Sequence, residues 1–177
     1  MTAASNDPSP SPSARPRPAE DHDHGACLRR GLAEAEAHCL DLGARLTAAR
    51  RRVLDVLLRE GGHGALGAYE IIDRMAARGD ARPAPMSVYR ALEFLIDVGL
   101  AHRISSLNAF VACAHPRRSH GAQFLICRSC HAVIEIDHQE CDDALERALD
   151  AAAQDAGFLA EAPVVEVPGL CSRCREG

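Results

Sequence analysis

Residues 85 to 104 read PMSVYRALEFLIDVGLAHRI, and two periods meet within them. Val88, Ala91, Leu92, Leu95 and Ile96 recur at helical spacing, which leaves Ser87, Tyr89, Arg90 and Glu93 facing outward. Gly99 stands just past the end of this helix, as a C-terminal stop. Beyond it the pattern shortens. Leu100 to Ile104 and Ala109 to Cys113 read as two short strands joined by Ser105-Ser106-Leu107-Asn108. A helix with a polar outer face followed by a hairpin is the end of a winged helix-turn-helix, provided that helices precede it.

Helices do precede it. Leu28 to Leu42 has an alanine- and glutamate-rich helical pattern ending at Gly43. Thr47 is an N-cap for a helix carrying Val53, Leu54, Leu57 and Leu58, stopped by Gly61-Gly62. Tyr69, Ile71, Ile72 and Met75 mark a third helix closed by Gly79, and Pro83 and Pro85 punctuate the chain before the fourth. Residues 1 to 26 hold half of the ten prolines and no apolar periodicity, so they read as a disordered tail. Its Asp21-His22-Asp23-His24 end reads as solvated rather than metal-holding.

After the hairpin, residues 115 to 119 (HPRRS) read as a hinge. Gln123 to Ile126 and Val133 to Ile136 read as strands, Cys141 to Ala156 as a helix ending at Gly157, and Val164 to Val167 as a last strand. The expected class is therefore α+β. A winged-helix domain spans residues 27–114, and a small α/β domain spans 120–177.

The chain has 177 residues and a net charge of -5, which does not suggest a nucleic-acid binder. The distribution says more. Residues 27 to 118 carry fourteen Arg against ten acids, whereas residues 119 to 177 carry four against eleven. Only the first half can face a phosphate backbone. No run is long or apolar enough to cross a bilayer, and no apolar stretch follows a basic start, so a cytoplasmic location is expected. Thiols stay reduced there. The 8 cysteines then point to metal ligands or core residues before disulfides.

Cys127-x-x-Cys130 lies between two apparent strands, not at the helix N-terminus that a redox pair uses. A second pair, Cys171-x-x-Cys174, follows at the far end of the domain. Together they supply four thiolates, the number a closed structural zinc site takes. Cys39 and Cys141 fall on helices and read as small core residues. Cys113 ends the second strand of the hairpin. With His102 on the paired strand, His120 past the hinge and Glu135 after the first knuckle, it offers one sulfur, two nitrogens and one oxygen. That mixture suits Zn²⁺ at the joint between the domains. Taken singly, each of these residues is equally well a surface or core residue.

Leu46-Thr47, the Tyr69 helix, PMSVYRAL at residues 85–92, GLAH at 99–102 and the two cysteine pairs resemble the Fur family of bacterial metal-dependent repressors, most of all its zinc-sensing members. The resemblance runs from about residue 30 to the C-terminus. It implies a winged-helix DNA-binding domain, a dimerisation domain, and a homodimer that binds a palindromic operator when its metal is bound. Carried over by position, Cys127, Cys130, Cys171 and Cys174 fall on a structural zinc site, and His102, Cys113, His120 and Glu135 on the regulatory zinc, giving two Zn²⁺ per chain. Double-stranded DNA is the expected partner, contacted by Tyr69, Ser87, Tyr89, Arg90 and the Arg50-Arg51-Arg52 run, with no membrane and no small-molecule substrate. His131 stands where the family usually has Gly. An iron- or peroxide-responsive repressor is the nearest alternative. A zinc hydrolase is a remote one, lacking a His-Glu-x-x-His helix and a second carboxylate to act as base; no enzyme is expected.

Overall fold

A computed structural model describes residues 24–60, 64–79, 81–116, 122–136, 139–159 and 164–176. Four helices come first: α1 (His24–Asp41), α2 (Ala48–Glu60), α3 (Ala68–Ala77) and α4 (Pro85–Asp97). The hairpin β1 (Ala101–Ile104) and β2 (Ala109–Ala112) follows. Then come β3 (Ala122–Cys127), β4 (Val133–Glu135), α5 (Gln139–Asp155), β5 (Val164–Gly169) and a one-turn helix α6 (Ser172–Arg175). This is the α+β arrangement expected. Helix α1 begins at His24, so residues 24 to 26 form its first turn rather than the end of a tail. The tail up to residue 23 and the Gly61-Gly62 stop lie outside the described residues.

The helical domain closes on one apolar core. Val53, Leu54 and Leu57 of α2, Ile71 and Ile72 of α3, and Val88, Leu92 and Leu95 of α4 are almost wholly buried. With Met75 completing the α3 set, the buried positions recur one, three or four residues apart, so each helix turns one stripe inward. Thr47 starts α2: its carbonyl accepts the Arg51 N–H at 2.8 Å, and its hydroxyl lies 3.5 Å from the Arg50 N–H. Gly99 adopts φ +70°, a left-handed turn that a Cβ would strain, and Leu100 N–H then returns to the Leu95 carbonyl at 2.7 Å. That turn aims the chain out of α4 and into the wing.

The wing is an antiparallel pair with His102 opposite Val111 and Ile104 opposite Ala109. Successive strand residues face opposite sides. Phe110 and Ala101 therefore join the helical core, while Ile104 and Val111 join a second core with Phe124 and Ile126 of β3. A single bridge between Leu66 and Phe110 adds an edge to the wing that has no counterpart in the sequence pattern. The wing's second face rests on a three-stranded sheet of order β4-β3-β5, antiparallel on one side of β3 and parallel on the other. At the wing's tip, Ser105–Leu107 form a 3-10 turn and Asn108 closes it in the left-handed region.

Candidate metal centres and nucleic-acid face

Strand alternation builds the first centre. His102 and Val111 are partners across the hairpin and share a face, and Cys113, two residues beyond Val111, returns to that face. Cys113 N–H donates to the Leu100 carbonyl at 3.0 Å, which holds the residue beside β1 after the strand has ended. On the sheet, Glu135 of β4 stands opposite Phe124 of β3. The result is that ligand atoms of His102, Cys113 and Glu135 all lie within 4.8 Å of one another. His102 Nε2 is buried and lies 3.6 Å from Glu135 Oε1, and the Phe124 ring meets the imidazole edge-on at 5.4 Å between centroids. The other carboxylate oxygen of Glu135 accepts the Ala114 N–H at 3.0 Å. His120 lies outside the described residues. His115 is half-buried, and its backbone N–H reaches the Cys113 sulfur.

The electrostatics of this cluster invite a cation. Burial pushes the Cys113 thiol up to about 12, and the neighbouring Glu135 charge pushes the same way, against the His115 N–H. A thiol and a carboxylate are held side by side with an imidazole nitrogen aimed among them. Sulfur, nitrogen and oxygen at that spacing fit Zn²⁺.

The second centre brings the two cysteine pairs together. Cys127 and Cys130 bracket the turn after β3, and Cys171 and Cys174 the turn after β5. Because β5 runs parallel to β3 in direct register, with Cys127 opposite Gly169, the two turns emerge at the same end of the sheet. The four sulfurs lie within 4.8 Å of one another. Cys130 and Cys171 sulfurs are 3.7 Å apart, far beyond a disulfide. That separation matches the roughly 3.8 Å edge of a tetrahedron whose metal–sulfur bonds are about 2.3 Å. Backbone N–H groups of Cys130 and Cys171 hold the Cys127 thiol down to about 6. Cys171 is lowered chiefly by the Cys174 N–H. At Cys174 the Ser129 contact favours the thiolate, but the sulfurs of Cys171, Cys130 and Cys127 outweigh it and lift the thiol to about 11. Four sulfurs this close ionise together only around a positive ion.

His131 follows this knuckle with φ +59°, the left-handed conformation for which Gly is suited. Its N–H closes the turn onto the Cys127 carbonyl at 2.9 Å, and its exposed side chain belongs to neither ligand cluster among the described residues.

The third feature is the outer face of α4. Ser87, Tyr89, Arg90 and Glu93 are exposed there while Val88, Ala91 and Leu92 are buried, and Tyr69 of α3 is exposed nearby in the chain order. The arginine run divides. Arg50 lies over the Phe94 ring at 3.4 Å and donates to the Arg45 carbonyl at 2.7 Å. Arg51 pairs with Glu36, tying α2 to α1. Arg52 remains exposed on α2. Arg50 and Arg51 thus have packing and pairing partners inside the fold, which sequence spacing could not reveal. Sequence reading also missed Glu166 of β5, half-buried, which accepts the N–H groups of Ser105 at 2.6 Å and Ser106 at 3.0 Å. No local pattern marks it, since donor and acceptor are about sixty residues apart in sequence.

The sequence profile of the Ferric uptake regulator family matches residues 41–158. The zinc uptake regulation protein of Escherichia coli K12 is 34% identical over 146 residues, which span 82% of this chain and 81% of that protein. Among solved structures, a zinc uptake regulator complexed with zinc and DNA superposes with a TM-score of 0.74 at 33% identity, over 84% of this chain and 95% of that one. A crystal structure of holo XcZur gives a TM-score of 0.71 at 36% identity, over 82% and 97%.

Proposed function

The chain belongs to the ferric uptake regulator family, and on that premise we propose that it is a zinc-responsive transcriptional repressor. In this reading it binds operator DNA in the cytoplasm as a zinc-loaded homodimer and silences zinc-uptake genes when zinc is plentiful. Relatives named for zinc uptake regulation, and a solved regulator carrying zinc and DNA, support it. The single observation that carries it is the convergence of His102, Cys113 and Glu135 across the contact between wing and sheet. Two of these residues belong to the wing and the third to the sheet.

Two Zn²⁺ per chain follow, one for each cluster. Cys127, Cys130, Cys171 and Cys174 would hold a structural ion, since four thiolates leave no position open. His102, Cys113 and Glu135, with His120 from the segment outside the described residues, would hold the regulatory ion. When bound, that ion would supply the positive charge that lets thiolate, imidazole and carboxylate share one point. The chain's own residues do the rest. The Ala114 N–H fixes the second oxygen of Glu135 and so orients the first toward His102. Phe110 and Ala101 pass the wing's position to the core beneath α4. The outer face of α4 then presents Ser87, Tyr89 and Arg90 to a major groove, with Tyr69 and Arg52 toward the phosphates.

The homodimer has a candidate surface. Leu125 and Val167 are register partners on the sheet face turned away from the wing, and both are more than two-fifths exposed. Among the described residues β5 pairs with β3 alone, leaving an edge for a second copy. An iron-responsive reading is disfavoured by the thiol of Cys113, a ligand type suited to zinc.

Metal content and duplex binding of wild type and Cys113→Ser test the proposal together. The wild type should hold two zinc ions and bind a duplex selected from a random pool; the variant should hold one and lose zinc-stimulated binding. Full binding by a one-zinc Cys113→Ser protein would refute the regulatory role.

A further inference from the structure

One row of the sheet meets the wing at three points. Glu135, Phe124 and Glu166 stand opposite one another across β4, β3 and β5, so they share a face. Glu135 receives the Ala114 N–H where the wing ends. Phe124, wholly buried, meets His102 in the middle. Glu166 receives the N–H groups of Ser105 and Ser106 at the wing's tip, one on each carboxylate oxygen. Burial alone would raise the Glu166 carboxyl, but the Ser106 side chain and the two N–H donors outweigh it and hold the group below its usual range. The two carboxylates therefore grip the wing at opposite ends, with an aromatic ring between them as a bearing.

The two grips differ in kind. Glu135 belongs to the candidate zinc centre. Glu166 is absent from both ligand clusters and gives both oxygens to the wing tip, whereas Glu135 gives one oxygen to the Ala114 N–H and turns the other to the His102 and Cys113 cluster, so only the Glu135 end is tied to the metal. We infer that Glu166 is a positioning residue that fastens the wing tip to the sheet independently of zinc, so that zinc loss frees only the Cys113 end and the wing pivots about Glu166. This rests on reading His102, Cys113 and Glu135 as the regulatory centre. The release is then one-ended. Fewer orientations then open in the zinc-free protein, and less conformational entropy opposes the return to the bound state.

Amide hydrogen exchange on the full-length protein reads each grip separately, without DNA. Removing the regulatory zinc alone should speed exchange at Ala114 by at least about tenfold and leave Ser105 and Ser106 protected. With both zinc ions bound, Glu166→Ala should do the reverse: Ser105 and Ser106 speed up by about tenfold and Ala114 does not change. Glu166→Gln keeps one acceptor oxygen and should fall between, which decides the matter should the alanine variant fold poorly. At saturating zinc the alanine variant should also bind the selected duplex severalfold more weakly with zinc content unchanged. Unaltered exchange at Ser105 and Ser106 in both variants would overturn the inference, as would loss of protection at both ends together when zinc is removed. Failure of the repressor reading would show separately, as duplex binding indifferent to zinc.

Discussion

Cys113 carries its proton until a cation displaces it. Burial and the Glu135 charge lift its thiol from 9.0 to about 12, so the neutral form is favoured in the folded, metal-free chain. That contribution to stability is complete below pH 9 and is lost as pH climbs toward 12. Cys127 runs the other way. Backbone donors hold it at about 6, so its contribution is present above pH 9 and fades as pH falls toward 6. With Cys113 as a ligand of the proposed regulatory centre, zinc binding would release its proton, and zinc affinity should rise by about tenfold per pH unit between roughly pH 6 and 8 from that thiol alone. Competition with a chromophoric chelator at several pH values checks this; an affinity indifferent to pH would remove Cys113 from the ligand set. His131 offers a second residue-scale outcome. Its left-handed backbone costs about 1 kcal/mol relative to Gly, and the side chain is exposed. His131→Gly should raise the denaturant midpoint of the zinc-loaded protein accordingly, and a lower midpoint would assign the imidazole a contact that outweighs the strain.

At the scale of elements, the outer face of α4 is proposed to contact DNA, while two of the α2 arginines pack and pair within the fold. Arg90 sits on the exposed face of α4, whereas Arg50 is folded onto Phe94. Arg90→Ala should weaken duplex binding by about tenfold, and should lower the salt slope by about one if it meets a phosphate. Arg50→Ala should instead cost about 1 kcal/mol of stability and leave the salt slope as it was. Fluorescence anisotropy across a salt series, beside denaturant titration, distinguishes the two. The same elements show what the sequence could carry. The α4 stripe was legible because Val88, Ala91, Leu92 and Leu95 repeat at 3.6 residues, and the wing because its period drops to two after Gly99. Convergence of the cysteine pairs was legible from number and spacing. The Leu66 bridge was not, since one bridging residue has no period. The Arg50–Phe94 stack, the Arg51–Glu36 pair and the Glu166 grip were equally hidden, because each joins segments whose relative placement only the folded core decides.

At the scale of the whole molecule, the wing is the shared part. One of its faces belongs to the helical core under α4, the other to the sheet that carries Glu135 and the cysteine turns. In the proposed reading, a change at the zinc centre would be felt at α4 through packed side chains, and by linkage DNA would tighten zinc as much as zinc tightens DNA. Zinc is the metal proposed to govern this coupling. The most direct test is duplex binding by the full-length protein in buffers of fixed free Zn²⁺ or fixed free Fe²⁺, with a palindromic duplex selected by the zinc-loaded protein from a random pool. Binding should switch on with zinc, at free concentrations far below those at which iron has any effect. Activation by iron at a lower free concentration than zinc, or binding that ignores both metals, would contradict it.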